Sequence, residues 1–297
     1  MTMATTRSKT SKTVTAVASR DQRPASRKSG PRKTALRIGA YVRSSSDREF
    51  IMSLARGLSV LLAFSEKWRH LSMAQVSHRT GISRAAVGRS LHTLCELGYV
   101  EMDDSQRYFL RPKVMAFSHA YVSGNPLPAI AQPVLDRLCE DLRQSCSLAI
   151  RDGDEIVYLV RGTSSRIMSL QLNVGGRAPL YCSSIGLVLL AHFSESELAA
   201  YLARVKLVRF TENTITSGAA LRQALGTIRR RGYAIADQHR ESRLCTMAVP
   251  VIDISGTVLA GVNVIVKSGA VPIRQMEQQF LPRLRTAAGD LGGLLSA

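Results

Sequence analysis

The chain has 297 residues, 45% of them hydrophobic and 21% charged, a balance that can bury a sizeable core and excludes a wholly disordered or fibrous chain. Its net charge of +18 attracts polyanions, meaning nucleic acid or an anionic membrane surface. No apolar run reaches the roughly 18–20 residues that a bilayer span needs, so no membrane partner is expected. The five cysteines (Cys95, Cys139, Cys146, Cys182, Cys245) are odd in number and contain no CxxC pair. That spacing suits free thiols in a reducing cytoplasm better than a disulfide framework or a zinc site, and no metal or cofactor is expected.

The first elements are charge and helices. Between Met1 and Arg43 stand eleven Lys or Arg and one acid, Asp21, and residues 1–45 are expected to be a disordered basic tail. Order is expected from Asp47. Ile51, Leu54, Ala55, Leu58, Leu61 and Leu62 recur at helical spacing and give one apolar face, in a helix ending between Phe64 and Lys67. Ser72 followed by Gln75 is a capping-box pattern that opens a short helix to about Arg79. Thr80-Gly81-Ile82 breaks it, Ser83 caps the next helix, and Gly98 closes that one. Tyr99–Met102 and Arg107–Leu110 flank the turn formers Asp103–Gln106, which reads as a two-stranded hairpin.

Two short helices joined by a glycine-containing turn, then a hairpin, make a winged helix-turn-helix over residues 46–111. This unit places the N-terminal end of its second helix in the major groove of double-stranded DNA. The DNA-facing candidates are Ser72, Gln75, Ser83, Arg84, Ala85, Ala86, Gly88, Arg89, Ser90 and, on the wing, Arg107. Arg84 and Arg89 suit bidentate contact with guanine or phosphate. The small residues let the backbone approach, and the hydroxyls suit phosphate oxygens.

Residues 112–128 read as a linker with a helical stretch to about Ser123, interrupted at Gly124–Pro128. A helix follows from about Ile130 to Gln144. From Ser147 the pattern turns strand-like: Leu148–Ile150, Ile156–Val160, Ile167–Leu172, Tyr233–Asp237, Met247–Ile252 and Val258–Val266. Helices are expected near Ser183–His192, Glu195–Arg204, Ala219–Arg231 and Ile273–Leu294. The fold class is α+β: an N-terminal winged helix-turn-helix, a linker helix, and an effector-binding domain (129–297) with an antiparallel sheet and packed helices.

Leu54–Leu58, Leu91–Val100, Val174–Gly186, Arg230–Ala234 and Ala248–Val251 together resemble the IclR family of bacterial transcriptional regulators, across about residues 47–295. Asp47–Leu54, Ser83–Val87, Ala120–Ser123 and Pro126–Pro128 resemble the subgroup that controls aromatic-acid (β-ketoadipate and protocatechuate) catabolism. The resemblance implies a homodimer or homotetramer in the bacterial cytoplasm, a near-palindromic operator on nucleoid DNA and an organic-acid effector. RNA polymerase is a further partner it allows. It also implies an effector pocket beside Pro179, Leu180, Tyr181, Ser183, Ser184 and Ile185, with a second segment from Asp237 through His239 and Glu241 to Met247 and Ala248. Ser183 and Ser184 would be donors at a helix start, where a carboxylate is favoured, and Tyr181 an aromatic wall. The subgroup commonly reads Asp-Gln-Glu-Leu-Glu and then Gly-Leu-Arg. Here Asp237-Gln238-His239-Arg240-Glu241 is followed by Arg243-Leu244-Cys245, and Leu187 stands where arginine is usual.

Two other classes stay in view. One is a non-specific nucleic-acid-binding or architectural protein driven by the basic tail. The other is an enzyme using Cys182 with His239 and Asp237; no nucleophile elbow, phosphate loop or HExxH motif supports it, and an enzyme is not expected.

Overall fold

The computed structural model describes residues 49–162 and 173–296. The basic tail and the strand expected over Ile167–Leu172 lie outside them. The described residues fall into two compact units that divide between Met115 and Ala116.

The first unit holds α1 (Met52–Leu61), α2 (Met73–Thr80), α3 (Arg84–Glu96) and a hairpin of β1 (Val100–Met102) and β2 (Tyr108–Leu110). Its core joins Val60, Ala63 and Phe64 to Leu71, Val76, Ile82, Val87, Leu91, Leu94 and Val100. Of the apolar face expected on α1, only Leu61 packs against this core. Ile51, Leu54, Leu58 and Leu62 are 49–62% exposed, and the inward side is made by Val60 with half-buried Met52 and Leu61. Amphipathic spacing marks an apolar stripe but does not say what covers it.

The second unit begins with α4 (Met115–Ser123) and α5 (Pro126–Leu142). α5 starts four residues earlier than its spacing suggests, because Pro126 and Pro128 sit in the first turn, where a missing N–H costs nothing, and Asn125 Oδ1 accepts from the Leu127 amide at 3.0 Å. Among the described residues six antiparallel strands follow: β3 (Ser145–Asp152), β4 (Glu155–Gly162), β5 (Arg177–Pro179), β6 (Ala234–Asp237), β7 (Leu244–Ile252) and β8 (Val258–Lys267), in the order β5-β4-β3-β8-β7-β6. β5, only three residues long, is not anticipated by its sequence.

Helices cover both faces of the sheet. On one side lie α5 and the last helical run, α9 (Ile273–Gln275), a π-helical turn (Met276–Phe280) and α10 (Leu281–Leu294). On the other lie α6 (Ser184–Ala191), α7 (Glu195–Arg204) and α8 (Gly218–Arg231). Strand alternation assigns the residues: Cys245, Met247, Val249 and Val251 face α5 and α10, while Ala236, Ala248 and Ile265 face α6.

All eight residues of α6 are buried, so it is the central helix of its layer. Its approach needs two glycines. A Cβ on Gly186 would strike the backbone of Leu180, and a Cβ on Gly261 of β8 would lie 2.7 Å from Ile185 Cγ2. Gly186→Ala is therefore expected to destabilise the second unit by about 1–3 kcal/mol or more through overpacking, read as a lower urea midpoint. An unchanged midpoint would show that α6 can back away from Leu180.

Candidate DNA interface and ligand pocket

The winged unit is built by local chemistry. Ser72 Oγ accepts from the Gln75 amide at 3.3 Å, and Gln75 Oε1 accepts from the Ser72 amide at 2.8 Å, which completes the capping box. Gly81 ends α2 in the left-handed region with φ 73°, and Ser77 Oγ donates to Ile82 O at 2.6 Å across the break. Ser83 Oγ then accepts from the Ala86 amide at 3.4 Å and starts α3.

α3 presents Ser83, Arg84, Ala85 and Arg89 to solvent, with Ser90 half-buried. Among the described residues neither arginine makes an ion pair, so both guanidinium groups are free for an anion. Two of the residues expected on this surface serve the interior instead. Ala86 is 6% exposed and belongs to the core, because it lies on the face of α3 that carries Val87 and Leu91. Gly88 is half-buried against α2, where an added Cβ would lie 3.4 Å from Met73 Cε. Ser72 and Gln75 are engaged with each other in the cap.

The wing is tied at its tip and its base. Asp103 Oδ1 accepts from the amides of Ser105 (3.0 Å) and Arg107 (2.9 Å). The bond from Arg107, then a side-chain bond with His70 (2.9 Å) and the bond from Ser105, hold the Asp103 carboxyl below its usual range, and Arg107 remains exposed. Leu71 and Tyr108 exchange both backbone hydrogen bonds, at 2.9 and 2.8 Å, and attach the segment before α2 to the wing. Arg111 is spent on Glu101 (2.5 Å), and Lys113 Nζ donates to Leu97 O (2.8 Å) at the end of α3.

In the second unit a cavity lies at the N-terminus of α6. It is lined by Tyr158, Ala178, Cys182, Ser183, Ser184, Ala236, His239, Arg240, Glu241, Leu244, Thr246 and Asn263, has a volume of about 40 Å³ and opens to solvent. Strands β4, β7 and β8 supply Tyr158, Thr246 and Asn263. The loop between β6 and β7 supplies His239, Arg240 and Glu241. That loop is held from outside: Thr211 donates to Gln238 O, Thr214 Oγ1 to His239 O at 2.6 Å, and Asn213 Nδ2 to Asp237 O at 3.2 Å.

The pocket is rich in polar atoms without partners. Ser184 Oγ, Asn263 Oδ1, His239 Nδ1 and Arg240 Nη1 are sealed from solvent and make no hydrogen bond. Ser184 is 1% and Asn263 2% exposed. Orphaned groups at such burial each cost free energy, and their convergence marks a site that a ligand completes. Ser183 Oγ is the cap of α6, accepting from the Gly186 amide at 3.0 Å, so the helix start and its partial positive charge face this space.

Of the residues expected in the pocket, Ser183, Ser184, His239 and Glu241 line it. Leu180 and Ile185 are core residues, and Pro179 adjoins the lining residue Ala178. Tyr181 is an anchor, not an open wall: its hydroxyl donates to Val208 O at 2.9 Å and accepts from Val208 N at 2.8 Å. Ala248 faces α6 but is fully buried. Met247 does not belong to the pocket, since alternation along β7 turns it to the α5–α10 side. Asp237 is likewise turned away, paired with Cys245 in register and accepting from Ser268 Oγ at 2.8 Å. Arg240 and Thr246 fall within the expected segment without being singled out in it; Tyr158 and Asn263 escaped the sequence reading, yet Asn263 carried a signal as the one polar residue within the run Val258–Val266.

Burial pushes the Cys182 thiol up to about 12 and the Tyr158 hydroxyl up to about 12. A thiol held neutral, with Asp237 on the other face of the sheet, leaves no nucleophile–base–orienter relay among Cys182, His239 and Asp237. Among the described residues no group of three or more His, Cys, Asp or Glu is placed to hold a metal, and no helix is long and apolar enough to cross a membrane.

A winged helix with a free cationic recognition helix, joined in one chain to a unit with a polar, incompletely satisfied cavity, defines a ligand-responsive DNA-binding regulator. The comparisons with known proteins agree. Residues 53–104 match the IclR helix-turn-helix domain, and residues 119–292 match the bacterial transcriptional regulator IclR C-terminal domain. The chain belongs to the IclR family of bacterial transcriptional regulators. It is 44% identical over 273 residues to the Pca regulon regulatory protein of Pseudomonas putida, covering 91% of this chain and 92% of that protein. It is 32% identical over 252 residues to the p-hydroxybenzoate hydroxylase transcriptional activator of Acinetobacter baylyi, covering 83% and 93%. A solved IclR homologue from Microbacterium hydrocarbonoxydans, complexed with 4-hydroxybenzoate, superimposes with a TM-score of 0.66 at 25% identity, covering 81% of this chain and 97% of that one. The matched domains exclude the basic tail, so the reading of a tail-driven architectural protein gains no support.

Burial also lowers the basicity of His239, partly offset by Asp237. The folded protein thus binds this proton less readily than the unfolded chain, whose histidine titrates near about 6.5. The resulting stability is complete above that pH and is lost as pH falls through it toward the folded value. Thermal melts from pH 7.5 to 5.5 are expected to fall more steeply for the wild type than for His239→Gln; parallel curves would mean that His239 charges freely in the fold.

Proposed function

We propose that the chain acts in the bacterial cytoplasm as a homodimeric regulator. In this reading the winged helix (46–111) reads a near-palindromic operator, the segment 112–128 connects it to the sensing unit (129–297), and a small aromatic acid in the α6 pocket changes operator affinity. The observation that carries it is the pocket: an all-buried helix aims its N-terminus and unpartnered Ser184 into a polar cavity that opens to solvent. The aromatic class is supported by the relatives, one bound to 4-hydroxybenzoate and another named for control of p-hydroxybenzoate hydroxylase. The dimer is supported by the stripe Ile51, Leu54, Leu58, Leu62, which a lone winged unit would leave in water. A two-fold partner covers such a stripe with its own copy and matches the symmetry of a palindrome. RNA polymerase is a further partner for a regulator of this kind. The tail (1–45) would add affinity without sequence preference.

At the operator, Arg84 and Arg89 are assigned to bases, Ser83, Ala85 and Ser90 to close approach and phosphate contact, Ser72 and Gln75 to the phosphate beside the α2 start, and Arg107 to the backbone along the wing. Arg84→Ala or Arg89→Ala is expected to cost about 1–3 kcal/mol at the operator and to relax preference at one base pair. Equal weakening on every sequence would reassign that arginine to phosphate.

The deciding experiment is footprinting on DNA upstream of its own and neighbouring genes, at fixed physiological salt with excess competitor, with and without benzoate, 4-hydroxybenzoate and 3,4-dihydroxybenzoate. A protected near-palindrome whose occupancy changes with one acid is the expected result. Protection indifferent to every acid would remove the aromatic-acid reading and leave the DNA-binding one.

A further inference from the structure

Arg240 is the cation of the ligand pocket. It stands on the loop between β6 and β7, half-buried, and shares the cavity wall with Ser183 and Ser184. Its Nη1 is shut off from solvent without an acceptor. Among the described residues no carboxylate lies within ion-pair distance of it, although Glu241, its neighbour in the chain, lines the same space. Its charge is felt by Tyr158, Tyr181 and Cys182, whose ionised forms it favours against their burial. Two other arginines on this face of the sheet are engaged: Arg161 Nη1 donates to Asn173 Oδ1 at 3.3 Å, and the Arg151 guanidinium lies over the Phe193 ring at 4.7 Å.

A guanidinium cannot escape burial by shedding its proton, because its pKa is too high. A half-buried arginine with no anion therefore holds an unmet demand, and its planar fork suits a carboxylate in two parallel hydrogen bonds. Ser184 Oγ, a donor buried without a partner at the α6 N-terminus, adds a second demand of the same sign. His239, whose basicity burial lowers, adds no competing positive charge near neutral pH.

We propose that Arg240 holds the negative charge of the pocket's ligand, pairing its carboxylate while the Ser184 hydroxyl donates to the same group, and thereby selects carboxylates over neutral molecules of the same shape. This rests on the reading of the pocket as a small-organic-acid site. No proton or bond changes hands; the ligand enters ionised and leaves ionised.

The test is isothermal titration of the full chain with benzoate, 4-hydroxybenzoate and 3,4-dihydroxybenzoate, each against its primary amide. The wild type is expected to prefer acid to amide by about tenfold or more, since one charge-assisted pair separates them. Arg240→Gln should weaken the acid by about tenfold or more and abolish the preference, and Arg240→Lys should restore part of it. A second measurement needs no ligand. If Arg240 has no partner in the protein, Arg240→Gln melts at or above the wild-type temperature, because it removes an uncompensated charge. Acid binding by Arg240→Gln within about twofold of wild type, or a melting temperature several degrees lower without ligand, would overturn the proposal while the acid-sensing reading stands. A wild type that binds none of the acids, or binds the amides as well, would overturn both.

Discussion

A helix buried on every side has no water to satisfy its first amides, and α6 meets that condition with its own cap and leaves the remainder to the pocket. Ser183 closes on the Gly186 amide, Gly186 and Gly261 let the helix sink against Leu180 and β8, and the layer formed by α7 and α8 shields it from solvent. The polar face of the sheet then has to lie under the helix start. Asn263 is buried there, and Ser145 and Ser147 share that face with hydroxyls that also lack partners. The cavity is thus a consequence of where α6 was placed: an apolar helix can fill most of the layer, but its N-terminus needs polar company, and the strands provide more of it than the protein itself can use.

That surplus has an energetic meaning. A buried hydroxyl or amide without a partner costs about 1–3 kcal/mol, so the sensing unit is less stable empty than its packing would permit. The same loop that presents Arg240 carries a non-glycine residue at positive φ, Gln238 at 57°, a conformation that persists only where its surroundings enforce it. Here the enforcing groups are visible, since Thr211 and Thr214 bond the carbonyls of Gln238 and His239. On this rim a strained backbone residue and unmet hydrogen bonds stand side by side.

Much of this was legible in the residues. Ser72 with Gln75 and Ser194 with Glu197 announce helix starts by local hydrogen bonds, and Gly81 and Gly98 announce breaks because their φ is positive; such signals need no knowledge of the rest of the fold. What failed were the inferences that depend on a partner surface. The stripe Ile51–Leu62 is real, but its spacing is the same whether the core or another chain covers it. Ala86 and Gly88 are small for packing reasons that only the position of α2 reveals. Met247 and Asp237 were misassigned because a segment can be placed beside a pocket by resemblance while alternation sends every second side chain to the opposite face. Arg240 lies inside the expected segment, but its direction was not legible because it sits on an irregular loop, where no periodicity predicts it. Asn263 was readable in principle, as a polar residue in a run that must be buried on both sides, but its meaning required the helix above it.

The coupling between the two units is bounded by thermodynamics. A ligand shifts operator binding only by the difference in its affinity for the DNA-competent and DNA-incompetent states, and the operator must shift ligand binding by the same factor. Groups that bind equally in both states add affinity without adding regulation. Ser184 sits on a helix start fixed by packing on all sides, so its contribution should be nearly state-independent. Arg240 sits on a loop held by a few hydrogen bonds from residues 211–214, which can move without opening the core. If the regulatory free energy resides anywhere in the pocket, the loop side is where a ligand can distinguish two states, and the helix side is where it is merely held.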